Sequence, residues 1–70
     1  MTTIDAHISG VVWRIACSIG DEIAPGDTVA VLESMKMEMP VESEESGIVK
    51  EIVCGVGDKV NEGDPLIILE

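Results

Sequence analysis

The sequence predicts an all-β domain in which two similar sheets pack face to face about a quasi-twofold axis. Three observations support this fold class: an internal repeat that spans most of the chain, short runs rich in β-branched residues, and Gly-Asp pairs at regular intervals. No segment shows a sustained helical period with capping residues. Because each half is too small to bury an apolar face alone, the two halves are expected to supply one common core.

The repeat aligns residues 9–33 with residues 46–70 without a gap, at a constant offset of 37 positions. Eleven of the 25 aligned pairs are identical. They are Ser9/Ser46, Gly10/Gly47, Val12/Val49, Ile15/Ile52, Cys17/Cys54, Gly20/Gly57, Asp21/Asp58, Gly26/Gly63, Asp27/Asp64, Leu32/Leu69 and Glu33/Glu70. Extended towards the N-terminus, the offset predicts a single domain over residues 1–70, built of units 1–33 and 38–70. Only the connector Ser34-Met35-Lys36-Met37 has no counterpart.

Each unit contains two runs typical of strands, VVWRIAC and TVAVLE in the first and IVKEIVC and PLIILE in the second. Between the two runs stands a segment with Gly-Asp at both ends, GDEIAPGD and GDKVNEGD. Glycine tolerates positive φ, and an aspartate side chain can accept hydrogen bonds from nearby backbone amides. We therefore expect turns at these pairs and three or four short strands in each half.

The connector is expected to be the tip of a hairpin. It joins the last strand of the first unit to the first strand of the second, so Lys36 and the chain termini should lie at opposite ends of the domain. Alternation along residues 29–41 agrees with a strand pair whose polar residues face outward. The apolar residues of one parity are Val29, Val31, Met35, Met37, Met39 and Val41, the polar residues of the other are Ser34, Lys36 and Glu38, and Glu33 is an exception.

The residues of this tip are unusual for a tight turn. Hairpins favour Asn-Gly, Asp-Gly or Gly-rich pairs, which accept positive φ, and Met-Lys-Met provides none of them. One interpretation is a solvated lysine between methionines that fill the core. The other is that the tip serves a purpose besides turning the chain.

Composition narrows the classes of partner. Fourteen acidic residues against four basic ones give a formal net charge of −10, while 46% of the residues are apolar. Such a chain is expected to fold, to repel nucleic acid and anionic lipid, and to accept a basic docking surface on another protein. The sequence has neither a transmembrane run nor a signal peptide, so a cytoplasmic location is expected.

Other residues that could carry chemistry are better explained structurally. Cys17 and Cys54 occupy the same repeat position and are expected to be small core residues, and His7 is assigned no role. We expect no metal site and no catalytic residues.

Two further features resemble binding elements. Glu42, Glu44 and Glu45 could be drawn as a metal cluster, yet a solvated strand end is expected, since alternate strand residues diverge. Trp13 aligns with Lys50, which indicates a partly exposed position, and packing at a sheet edge is expected in preference to contact with a partner.

The segment VLESMKMEMPV resembles the attachment motif of biotinyl domains, the biotin carboxyl carrier modules of the biotinyl/lipoyl family, and the resemblance extends over essentially the whole chain. It implies a flattened barrel of two four-stranded antiparallel sheets with the lysine on an exposed turn. It further implies that Lys36 is biotinylated and that biotin protein ligase recognises Met35 and Met37. Ser34 stands where alanine is commoner, and Glu33 and Glu38 flank the motif.

The resemblance implies a carrier that is itself no enzyme. Biotin on Lys36 would take carboxylate from a biotin carboxylase to a carboxyltransferase. The gapless repeat predicts that the protruding loop, or thumb, of some carriers is absent. Lipoylation of Lys36 is the alternative within the family, although the usual Asp-Lys-Ala signature of lipoyl domains is missing. A third hypothesis is an unmodified β domain that serves as an interaction module.

Overall fold

The computed structural model describes residues 2–70, which form eight strands and no helix. The strands are β1 Thr2–Asp5, β2 Gly10–Ile15, β3 Glu22–Ile23, β4 Thr28–Ser34, β5 Met37–Glu42, β6 Gly47–Ile52, β7 Lys59–Val60 and β8 Pro65–Leu69. Within this part of the chain there is no helix long and apolar enough to cross a bilayer. Residue 1, the predicted start of the domain and of its first unit, lies outside the described residues.

All strand pairs are antiparallel, and they build two four-stranded sheets. The sheet that carries the connector, which we call the lysine-bearing sheet, has the order β5-β4-β2-β7, and the opposite sheet has the order β1-β8-β6-β3. The predicted fold class is therefore confirmed. Each sheet takes strands from both repeat units, so the halves are interleaved and neither forms a complete sheet alone.

The Gly-Asp pairs form turns with one recurring hydrogen bond. In each turn the aspartate Oδ2 accepts a backbone N–H from three residues earlier, at 2.8 or 2.9 Å. The donor and acceptor pairs are Ser18/Asp21, Ala24/Asp27, Gly55/Asp58 and Asn61/Asp64. The glycine of each turn has a φ between 92° and 94°, where a side chain would be strained. The repeated residues thus have a direct structural cause.

Gly10 is required for close packing beside the connector. A Cβ placed on Gly10 would lie 2.5 Å from the backbone oxygen of Glu33, which is shorter than any normal contact. At the equivalent position a Cβ on Gly47 would lie 3.1 Å from the backbone oxygen of Glu70. The end of the chain therefore occupies, in the opposite sheet, the place that Glu33 occupies at the base of the connector.

Leucine, isoleucine and valine from both sheets fill the space between them. Leu32, Leu66 and Leu69 are fully buried, and Cys17 belongs to the same core cluster. Cys54 is half-buried and packs against that cluster, and both cysteines are free thiols. The expectation that both are core residues is thus met fully by Cys17 and in part by Cys54.

A bulge in β4 changes the predicted alternation. Opposite β5, Thr28 pairs with Glu42 and Ala30 pairs with Val41, so Val29 is an extra residue. Ala30 and Leu32 consequently face the core, whereas Val31 lies outside the core cluster. The prediction that Val31 faces inward is wrong because the bulge shifts the parity by one residue. Glu33 is then no exception, since it shares the outer face with Val31.

Candidate functional site

The connector is the tip of a long hairpin formed by β4 and β5. Six residue pairs join the strands, from Thr28/Glu42 to Ser34/Met37. Only Met35 and Lys36 lie between the paired residues, so the loop has the shortest common length. The lysine is therefore held at the end of a rigid two-stranded ribbon.

Both loop residues adopt backbone conformations that L-residues rarely adopt. Met35 has a φ of 52° and Lys36 a φ of 64°. Among residues 2–70 no other non-glycine residue has a positive φ. Each such residue costs about 1–2 kcal/mol relative to an ordinary conformation. The strand pairing must supply this energy, and strain retained at one place is typical of functional sites.

The side chains at the tip are exposed to solvent. The exposed fraction is 92% for Met35 and 62% for Met37, and Lys36 is exposed as well. Met37 lies on the core-facing side predicted for it, because it pairs with Ser34 two residues beyond the Leu32/Met39 pair. Neither Met35 nor Met37 is buried, however, because the tip extends past the end of the core. Further along β5, Met39 is half-buried and Val41 is buried. Two large apolar side chains thus flank the lysine without contributing to the core.

Glu33 and Glu38 form a pair of like charges next to the tip. They lie directly opposite each other across β4 and β5, and both are exposed. Because the two-residue loop makes Ser34/Met37 a hydrogen-bonded pair, the next pair is of the non-hydrogen-bonded type, in which side chains lie closest. Directly opposed like charges destabilise a sheet. Ser34 itself is half-buried.

The remaining acidic candidates lie away from the tip. Glu42 ends β5 and Glu44 and Glu45 follow it in an exposed loop, where the buried Ser43 hydroxyl donates a hydrogen bond of 2.5 Å to the Glu45 carbonyl oxygen. These residues line a cleft of about 780 Å³ between β1 and β5, which His7 also reaches. Within residues 2–70 no three His, Cys, Asp or Glu side chains are grouped as metal ligands would be.

Trp13 is partly exposed, as its alignment with Lys50 predicts, but it does not lie on an edge strand. It is 47% exposed and stands on β2, an interior strand of the lysine-bearing sheet. The register of β2 with β4 shifts between Val12 and Arg14, so Trp13 is the extra residue of a bulge. Trp13 is therefore not on an edge strand as expected, although β7 pairs with β2 only at Gly10 and Val11. The feature of the sequence that singled out Trp13 was its alignment with a charged residue, Lys50, in the second repeat unit.

Comparison with known proteins assigns the chain to a family. The model of the biotin/lipoyl family, described as "Biotin-requiring enzyme", matches residues 1–69. The chain belongs to this family. As a biotin/lipoyl domain it is of the biotin carboxyl carrier type, in a family whose members hold biotin or lipoate covalently.

Two relatives illustrate the range of the family. The biotin/lipoyl attachment protein of Bacillus subtilis (strain 168) is 48% identical over 42 residues, which are 60% of this chain and 58% of that protein. The gamma subunit of methylmalonyl-CoA decarboxylase from Propionigenium modestum is 44% identical over 36 residues, which are 51% of this chain and 27% of that subunit. The matched region spans less than two thirds of either relative.

Solved structures contain the same domain within much larger chains. The urea carboxylase of Kluyveromyces lactis matches 99% of this chain with a TM-score of 0.92 and 32% identity, over 6% of its own length. A single-chain, multi-domain long-chain acyl-CoA carboxylase matches 94% of this chain with a TM-score of 0.87 and 26% identity, over 7% of its own length. The biotin/lipoyl fold of this chain is thus one that occurs as part of carboxylases.

Proposed function

We propose that the Nζ atom of Lys36 is the attachment point for biotin and that the domain serves as a carboxyl carrier. The observation that supports this most directly is the tip itself. Lys36 stands in a strained two-residue loop between the exposed Met35 and Met37, in the only segment outside the repeat. Neither core packing nor turn formation explains these residues.

The chemistry of attachment is assigned to biotin protein ligase. An ordinary lysine amine is protonated near neutral pH, so it must lose a proton before it can attack an acyl group. The ligase would therefore accept the proton and supply biotinyl-adenylate. The nitrogen–carbon bond of the new amide forms as the bond from the acyl carbon to AMP breaks.

After attachment the domain contributes position and reach. Biotin accepts carboxylate at a biotin carboxylase site and delivers it at a carboxyltransferase site, and both sites belong to partner subunits or domains. A tethered group reaches such sites at an effective concentration of roughly millimolar. The strained hairpin keeps the base of the arm fixed while the arm moves. On this proposal the domain itself catalyses no step.

The test is modification of the intact chain. The domain is expressed together with biotin protein ligase and excess biotin, and its mass is measured with a streptavidin blot in parallel. We expect one biotin per chain in the wild type and none in the Lys36→Arg variant. An unmodified wild-type chain, or a labelled Lys36→Arg chain, would contradict the proposal.

Lipoate is the second candidate cargo. The family includes both cargoes, and the Bacillus subtilis relative is described as a biotin/lipoyl attachment protein. Incubation with a lipoate ligase, ATP and lipoate separates the two. A gain of one lipoyl group, together with no gain from biotin and its ligase, would assign the domain to lipoate. No gain from either reaction would leave the unmodified interaction module.

A further inference from the structure

The outer faces of the two sheets can be compared position by position, because the repeat makes them equivalent. The outer side of β2, β4 and β7 is called the Trp13 face. Besides Glu33 at its edge next to the tip, it consists of Val11, Trp13, Arg14, Val31 and Lys59, whose equivalents in the opposite sheet are Ile48, Lys50, Glu51, Ile68 and Glu22. Differences between the two sets are not required by the shared fold.

The bulge in β2 produces the centre of the Trp13 face. Trp13 and Arg14 together stand opposite the single residue Val31 of β4. Val31 is only 8% exposed although it lies outside the core cluster, so its neighbours on the outer face cover it. The face therefore has a packed apolar centre with an indole 47% exposed to solvent.

The Trp13 face is continuous with the lysine hairpin. Val11 pairs with Glu33 on one side and with Lys59 on the other, so a single row runs across three strands. Val31 precedes Ser34 by three positions, and at about 3.3 Å per residue the face begins about 10 Å from the tip. A protein that covers the tip and spreads over one flat side would meet this face.

Charge also distinguishes the two faces. Arg14 and Lys59 are exposed and account for two of the four basic residues in a chain of formal charge −10. Their equivalents Glu51 and Glu22 are acidic. The Trp13 face thus combines an exposed indole with two basic side chains, and Glu33 and Glu38 add acidic side chains at its edge beside the tip. It is complementary to an apolar surface that carries charges of both signs.

We propose that the Trp13 face is the docking surface for biotin protein ligase, which rests on the proposed function. The ligase must reach the amine of a bare lysine, with no arm to extend it, so the two proteins must be in close contact. A specific interface takes about 800 Å² from each partner, roughly a fifth of the 4322 Å² that this domain exposes. A two-residue loop is too small to provide that area.

The cleft between β1 and β5 is the competing surface. Its rim carries Asp5, Glu42 and Glu44, and it would suit a basic partner. It lies at the end of β5 farthest from the tip, so it is not continuous with Lys36. The Trp13 face provides area, an aromatic centre and continuity with the lysine.

Steady-state kinetics of biotinylation test the proposal. With purified biotin protein ligase, ATP and saturating biotin, KM and kcat are measured for the unmodified domain and its variants. Truncating an aromatic residue at the centre of an interface typically weakens binding by about tenfold or more. We expect Trp13→Ala to raise KM by about tenfold and to change kcat less than about twofold. The matched control is Ile48→Ala, because Ile48 is also 47% exposed but lies on the opposite sheet.

A charge-reversal variant tests the same face without altering Trp13. Arg14→Glu gives this face the residue of its equivalent Glu51 and is expected to raise KM most at low salt. Glu51→Gln is the control and should leave KM unchanged. If Arg14→Glu instead lowers KM, while Glu42→Gln or Glu44→Gln raises it, the acidic cleft is the docking surface and the proposal is wrong.

Binding can also be observed without turnover. Trp13 is the only aromatic residue besides His7, so a domain labelled with fluorotryptophan gives one fluorine NMR signal. Adding unlabelled ligase without ATP should shift or broaden that signal. An unchanged signal at saturating ligase, or an unchanged KM for both Trp13→Ala and Arg14→Glu, would overturn the docking surface while leaving biotinylation of Lys36 intact. Failure of the wild type to be biotinylated would instead overturn the proposed function and this inference with it.

Discussion

Met35 and Lys36 adopt left-handed backbone conformations, with φ values of 52° and 64°, that asparagine and glycine adopt more readily. A sequence optimised for stability would place those residues in a two-residue turn. The domain retains a methionine and a lysine there, and the six cross-strand pairs of the hairpin hold them in place. At the scale of single residues, the side chains at the tip are thus retained although they lower the folding stability of the domain.

The backbone strain predicts that Met35→Asn stabilises the fold. We expect the free energy of unfolding in urea to rise by up to about 1 kcal/mol, because asparagine tolerates positive φ. Gly20→Ala is the opposite control: Gly20 has a φ of 94° with open space around its Cβ position, so the new methyl group adds strain without a clash. A lower stability for Met35→Asn would show that the methionine side chain stabilises the tip.

Because the flanking methionines are exposed, we predict that substituting them changes the rate of biotinylation but not the stability of the fold. Met35→Leu and Met37→Leu nearly conserve volume at exposed sites, so the free energy of unfolding should change by less than about 0.5 kcal/mol. Biotinylation by the ligase should nevertheless become slower, as kcat/KM from a time course would show. Unchanged kcat/KM in both variants would remove the recognition role of these methionines.

The opposed carboxylates Glu33 and Glu38 predict a stabilising neutral substitution. Glu38→Gln removes one of two like charges in adjacent positions, and we expect a gain of about 0.2–1 kcal/mol in low salt. The gain should shrink at high salt, where the repulsion is screened. Urea unfolding at two ionic strengths measures both effects. A gain that does not depend on salt would point to a cause other than charge.

At the scale of strands, the register of the β4–β5 hairpin determines the position of Lys36. Its register is anchored on one side by the bulge at Val29 and by Val41 in the core. On the other side Gly10 admits the backbone of Glu33 at a distance that no other residue would allow. The position of Lys36 therefore depends on pairing along the whole of β4 and β5.

This geometry predicts the effect of a one-residue insertion. A glycine inserted between Ser34 and Met35 should lengthen the loop, displace Lys36 from the tip and abolish biotinylation, while circular dichroism still reports a folded β domain. The control is a glycine inserted between Glu44 and Glu45, in the exposed loop after β5, which should leave biotinylation intact. Full biotinylation of the tip variant would show that the position of the lysine on the hairpin is unimportant.

At the scale of the whole molecule, the two repeat units are interleaved around one core. Each sheet draws strands from both units, and the buried Cys17 and the half-buried Cys54 occupy equivalent positions. Burial raises the pKa of both thiols above the ordinary value of 9.0, and the carboxylates of Asp21 and Asp58 raise them further. The folded state thus favours the neutral thiols.

These pKa shifts predict a loss of stability in alkali. The unfolded chain releases the thiol protons at a lower pH than the folded chain does. The stability that the neutral thiols give the folded state is therefore fully present below their ordinary pKa, and it is lost as pH rises through their raised pKa values. The free energy of unfolding should begin to fall as pH approaches 9.0, the ordinary pKa of the thiols, and should fall further as pH rises towards their raised pKa values. The slope should be smaller in the Cys17→Ala/Cys54→Ala variant. Equal slopes would show that the thiols do not contribute.

Much of this fold can be predicted from the amino-acid order. The repeat, the Gly-Asp turns and the β-branched runs are local signals, and they indicated two equivalent units and a common core. The connector could be recognised because Lys36 and its neighbours have no partner in the repeat. The direction of Val31 and the exposure of Met35 and Met37 could not be read in the same way, because alternation assumes an unbroken strand that reaches the core along its whole length.

By itself the sequence determined that this is a duplicated all-β domain with a lysine set apart at a turn. Only the tertiary structure decided that the halves interleave, that a bulge places Trp13 and Arg14 on one outer face, and that the tip extends beyond the core. The physical reason is that registers, bulges and burial arise from hydrogen bonds and packing between strands far apart in the chain. Local propensity specifies each strand, whereas its neighbours determine which side chains remain exposed for a partner.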